Sequence, residues 1–172
     1  MTVPMSSPTS TVSPGSTAPT SRSRGPSGVP TRRWPTALRV LLRVLLGVLA
    51  VSASLALLSP FPERVQTSVS AWCVLLAAVI YLVWGTARGD LAARRWLTAQ
   101  TAGVLGFAAV AVVAAATNPA VARYVLATGW LAHAGWDLVH HHADRVVPRW
   151  YAELCMVCDV LIAGALLTIG TL

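Results

Sequence analysis

Five stretches of this chain, near residues 38–58, 67–85, 98–117, 121–141 and 151–171, are almost free of charge and each about as long as a bilayer is thick. Hydrocarbon offers no water to bond a peptide group, so each such stretch must close its own hydrogen bonds as an α-helix. That constraint sets the fold class: an all-α integral membrane bundle of about five transmembrane helices. Composition excludes the soluble alternative. Of 172 residues, 55% are apolar and 11% charged, and mean hydropathy is +0.64, whereas soluble domains carry about 25% charged residues.

Residues 1–33 are dominated by Ser, Thr, Pro and Gly and show no apolar periodicity. A segment of that kind buries too little surface to offset its ordering entropy, so it is expected to be a disordered cytoplasmic tail preceding a transmembrane domain at 34–172. The pair Arg32-Arg33 before an apolar run resembles a twin-arginine export signal, but Pro35 and Thr36 stand where that signal carries apolar residues. A cleavable signal peptide is the other alternative, with Ser52-Ala53-Ser54 as its small-residue site. The apolar run continues through Leu58 beyond that site, which favours a retained first span. Pro60, Pro62, Pro119 and Pro148 fall in three of the four connections, where a missing N–H does least harm.

Charge is equally informative. The formal net charge is +7, and all 13 basic residues are arginine. Lysine is absent and alanine abundant, a bias that suggests a GC-rich bacterial genome. No basic face with interleaved aromatics marks a nucleic-acid partner; the arginines flank apolar segments, where anionic lipid headgroups attract them. With the N-terminus inside, Arg22, Arg24, Arg32, Arg33, Arg39, Arg43, Arg88, Arg94, Arg95, Arg145 and Arg149 all lie on the cytoplasmic side. Of the 13, only Arg64 and Arg123 fall outside. The expected topology is therefore N-in, C-out, multi-pass, in a bacterial plasma membrane. Trp84 and Tyr81 close the second span as interfacial anchors.

The window GWLAHAGWDLVHHHADRVVPRWYAELCMVCD, residues 129–159, departs from the rest. It holds all 4 histidines and four of the 6 acidic residues. At about 100° per residue on a helix, Asp137 lies about 40° from His133, His140 about 20° to the other side and His141 about 80° away, while His142 points about 180° away. The fifth span carries a second stripe, Tyr151, Cys155, Cys158 and Asp159, with Glu153 off that face near the cytoplasmic interface. The connection between the two spans is short and centred near Val146, which makes them an antiparallel hairpin with His133 level with Asp159, Asp137 with Cys155, and His141 with Tyr151. Gly129, Ala132, Ala134 and Gly135 let another backbone approach, from within the chain or from a second copy in a homo-oligomer.

Ionisable groups at membrane depth face a partner, an ion or water. The cluster admits a structural reading, in which His133 and Asp159 clamp the hairpin through a hydrogen bond. It admits a metal reading, in which His133, Asp137 and His140 or His141 supply three ligands to a divalent ion such as zinc or iron and leave a position open for water, with Asp159 or Cys155 as a fourth ligand or a base. A proton or ion relay uses the same imidazoles and carboxylates. Cys155 and Cys158 also form a C-x-x-C pair, but the remaining cysteine, Cys73, lies near the opposite end of the second span and supplies no partner pair.

The histidine box resembles two membrane metalloenzyme patterns in part. Membrane desaturases and hydroxylases carry several H-x-x-H-H boxes, and this chain has one partial box; alkaline ceramidase-like hydrolases use His, Asp and Ser on seven spans. Neither pattern transfers a catalytic role to a residue here. The combination HAGWDLVHH followed by VPRWYAELCMVCDVLIAGALL is similar to uncharacterised small bacterial multi-spanning membrane proteins, a likeness that covers about the last 45 residues and implies no function.

Overall fold

The computed structural model describes residues 35–168. The tail expected at 1–33 and the end of the last span beyond 168 lie outside the described residues. Within them the chain is all helix: α1 (Thr36–Leu58), α2 (Glu63–Ala87), a 3-10 turn (Asp90–Ala92), α3 (Arg94–Ala116), α4 (Pro119–Ala143) and α5 (Arg149–Thr168). Four of these helices, α1, α2, α3 and α5, are long and apolar enough to cross a membrane.

Helix α4 is as long as α2 but carries His, Asp and Arg in its interior. The reason it tolerates them is position. It packs against α2, α3 and α5, while α2 packs on α3 and α1 lies on α5. The polar face of α4 is thus turned into protein, with His133, Asp137 and His140 all buried. Val121, Leu131, Leu138 and Val139 occupy its exposed face.

Helix ends follow local chemistry. Asn118 caps α4 by accepting the Val121 N–H at 3.0 Å, with Pro119 in the first turn, where its missing N–H costs nothing. Pro62 precedes α2 and Pro148 precedes α5, its carbonyl accepting the Tyr151 N–H at 2.9 Å. After α2 the chain reverses through Gly89 at φ 73°, a left-handed position that glycine occupies without a Cβ clash.

Between the helices there is no hydrophobic drive beyond that of lipid itself, so close packing must hold them. Small residues supply it. A Cβ at Gly129 would lie 2.6 Å from Val110 Cγ1 on α3, and one at Gly47 would lie 2.9 Å from Val157 Cγ1 on α5. Buried apolar residues form a long core around Val74, Phe107, Leu126, Trp130 and Leu166. A shorter one, around Tyr81, Val146, Val147 and Ala152, lies where the α4–α5 turn meets α2.

Candidate metal centre

Helix α4 presents His133 and Asp137 one turn apart, and α5 presents Asp159 across the hairpin. His133 Nδ1–H donates to Asp159 Oδ2 at 2.8 Å, so the expected level of these two residues is met. Asp137 Oδ1 lies 3.5 Å from the same ring nitrogen. One donor atom from each of His133, Asp137 and Asp159 can be chosen so that all lie within 4.8 Å of one another. The three residues are 0%, 0% and 3% exposed, which removes bulk water as a partner.

The hydrogen bonds do not exhaust the cluster. Asp137 Oδ1 accepts the Tyr81 hydroxyl from α2. Asp137 Oδ2 and His133 Nε2 are buried and have no hydrogen-bond partner among the described residues. Aromatic rings wall the imidazole: Phe107, Tyr81 and Trp130 have centroids 5.0, 5.5 and 6.4 Å from it, all edge-on. Trp130 is itself fixed, donating its indole N–H to Ser70 Oγ at 2.9 Å.

The other residues singled out by the sequence are placed elsewhere. Both nitrogens of His140 are engaged, Nδ1–H donating to the Trp136 carbonyl at 2.8 Å and Nε2 accepting the amide of Gln100 at 2.6 Å. This neutral, bonded ring does not join the His133 group. His141 lies near the end of α4, half-buried, with Nε2 3.0 Å from Glu153 Oε1; Glu153 also pairs with Arg43 of α1. His142 is exposed and bonds back to the Leu138 carbonyl at 2.8 Å. Tyr151 stacks at a tilt beside Tyr81 and Trp84, with centroids 6.2 and 6.1 Å away. Cys155 and Cys158 are both free thiols of intermediate burial, and Cys158 Sγ faces α1 at Gly47.

Two buried polar partners are not anticipated by the sequence, Tyr81 within the cluster and Gln100 beside it on His140. Tyr81, expected as an interfacial anchor, is fully buried and belongs to the cluster. Its phenol donates to Asp137 inside the bundle. Gln100 is 1% exposed, and an amide within an apolar span is the signal that marks it. Comparison with protein-family models, with curated proteins and with solved structures finds no match to this chain.

Charge arithmetic narrows what the centre can do. Two carboxylates and one neutral imidazole carry two negative charges when ionised, and a buried uncompensated charge costs several kcal/mol. The cluster reaches neutrality by holding two protons or one divalent cation. The 2.8 Å contact between His133 Nδ1 and Asp159 Oδ2 is a hydrogen bond, which an ion held at that nitrogen would replace. Ligand bonds of about 2.0–2.2 Å put neighbouring donors on a tetrahedron about 3.4 Å apart, near the 3.5 Å between His133 Nδ1 and Asp137 Oδ1.

Proposed function

We propose that this protein is a multi-pass metalloprotein of a bacterial plasma membrane, holding one divalent ion, zinc or iron, through His133, Asp137 and Asp159. The observation that carries the proposal is the pair of unsatisfied atoms. Buried polar atoms are almost always bonded, yet among the described residues His133 Nε2 and Asp137 Oδ2 have no partner, in one cluster beside an aspartate from the facing helix. Mixed imidazole and carboxylate donors suit zinc or iron rather than the all-oxygen sets of magnesium and calcium. An ion held by His133, Asp137 and Asp159 would supply a Lewis acid in a site that excludes bulk water.

The second reading is a clamp, favoured by the direct 2.8 Å bond from His133 to Asp159. A thermal-unfolding series separates the two. Under the metal reading, zinc or ferrous ion raises the melting temperature of the wild type in a concentration-dependent way, by mass action on the folded state. Asp137→Asn and Asp159→Asn abolish the shift. Under the clamp reading no metal produces a shift. His133→Ala and Asp159→Ala then cost similar amounts, and the double variant costs little more than either, because both remove one interaction.

A further inference from the structure

His133, Asp137 and Asp159 are buried, so an ion bound for them must first be met elsewhere. The same two helices carry a second pairing of imidazole with carboxylate, at the α4–α5 turn end of the bundle. At about 1.5 Å per residue, His141 lies about 6 Å beyond Asp137 along α4, and Glu153 about 9 Å before Asp159 along α5. His141 Nε2 is 3.0 Å from Glu153 Oε1. Their side chains are 29% and 30% exposed, so these donors meet solvent where those of the centre do not. A cavity of ≈ 260 Å³ opens beside them, with Arg43, His141, Glu153 and Met156 in its lining.

Imidazole and carboxylate are also the donors of the buried centre, and the Met156 thioether adds a soft atom to the same cavity. In the tautomer protonated at Nδ1, the His141 ring offers Nε2 as a lone pair, and an ion takes the place of the shared proton. The second oxygen of Glu153 pairs with Arg43 of α1, a cation that already stands where a metal ion would. Two protein ligands with a guanidinium competing for one of them hold an ion loosely. Loose binding is what onward transfer needs, since an ion must enter a site readily and leave it again. We propose that His141 and Glu153 form a loading site, at which a divalent cation displaces Arg43 from Glu153 and then passes along the α4–α5 hairpin to His133, Asp137 and Asp159.

Loading at this pair rests on the metal reading of the His133 cluster. It gives Arg43 and Glu153 opposite roles, which a purely structural contact does not. If the two residues only fasten α1 to α5, removing either breaks the same ion pair and has the same effect. If Arg43 competes with the ion, removing it frees Glu153 and takes a repelling charge from the cavity, whereas removing Glu153 takes away the ligand.

The test is the rate of zinc uptake by the full-length protein, stripped with chelator in detergent and mixed by stopped flow with zinc ion and a weak fluorescent zinc indicator. Wild type should take up about one equivalent. Glu153→Gln and, independently, His141→Ala should slow uptake about tenfold, the lower end of what local charge and supporting ligands contribute, and still reach the same final equivalent. Arg43→Gln should speed uptake about threefold or more. His142→Ala, whose ring is exposed and bonded to the Leu138 carbonyl, should load at the wild-type rate. Glu153→Gln and His141→Ala loading as fast as wild type would overturn the inference, as would Arg43→Gln slowed to the same extent as Glu153→Gln. Wild type that takes up no zinc overturns the metal reading and the loading site together. Wild type that loads, with variants that match its rate, overturns the loading site alone.

Discussion

Asp90, in the 3-10 turn after α2, ties the two connections on the α4–α5 turn side of the bundle together. Its Oδ2 accepts the Val146 N–H at 2.9 Å, its Oδ1 accepts Arg145 Nη1 at 3.0 Å, and Arg88 Nε lies 3.4 Å away. Val146 needs that support, because it is a fully buried, β-branched residue at φ 71°, where the left-handed backbone stores about 1–3 kcal/mol. A hydrogen bond from a buried N–H to a carboxylate contributes about 1.5–3 kcal/mol. The two arginines are 57% and 37% exposed at the side chain, so their pairs add about 0–1 kcal/mol together. Asp90→Ala should therefore destabilise the protein by roughly 2–4 kcal/mol, while Asp90→Asn, which keeps an acceptor for Val146, should lose about 1 kcal/mol. Denaturant unfolding in detergent, followed by tryptophan fluorescence, measures both. The pH profile is a second readout. The Val146 hydrogen bond chiefly, with Arg145 and Arg88 adding to it, holds the Asp90 carboxyl below its ordinary value of 3.8 in spite of partial burial. A group lowered in the folded state stabilises it above the unfolded pKa and loses that contribution as pH falls through the folded one. The gap between wild type and Asp90→Ala should thus be flat from neutrality to about pH 5 and shrink only below about pH 4. Equal stability of wild type and Asp90→Ala, or an Asp90→Asn variant as damaged as Asp90→Ala, would refute the reasoning.

Tyr81→Phe removes the phenol that donates to Asp137 Oδ1 and should cost about 1–3 kcal/mol of stability in metal-free protein, with a 10–100-fold weaker metal affinity on the order seen for supporting ligand partners; thermal unfolding and metal titration check the two effects. Gln100→Met strips His140 of its donor at 2.6 Å and should lower the melting temperature without changing metal content, because His140 stands outside the cluster. The topology prediction rests on arginine placement: a reporter active only in the cytoplasm should be silent after Leu172 and active after Asp90, and equal activity at both would contradict the N-in, C-out arrangement.

The helices were legible because hydrocarbon leaves a chain of this hydropathy no other way to satisfy its backbone. The level of His133 with Asp159 was legible for a similar reason, since a short turn gives an antiparallel hairpin little freedom of register. Contacts from α2 and α3 were not. A helical wheel puts His140 on the same stripe as His133, but which way its ring turns depends on Gln100 of a different helix. Tyr81 is ambiguous by type: its phenol suits the interface as well as a buried acceptor, and only the packing of α2 on α4 decides between them. A helical wheel puts Glu153 off the Asp159 face, but its pairing with Arg43 and His141 depends on α1 lying against α5.

The central claim is that His133, Asp137 and Asp159 hold an ion, and metal content per chain tests it most directly. Full-length protein, purified in detergent without chelator after growth in zinc- and iron-supplemented medium, should carry about one equivalent of a divalent metal, as a single three-ligand site requires. Asp159→Asn should carry a small fraction of that, and His142→Ala, whose ring is exposed and bonded to its own helix, should match the wild type. Metal-free wild type that also takes up neither zinc nor iron on addition, or an Asp159→Asn variant that retains the full equivalent, would contradict the account.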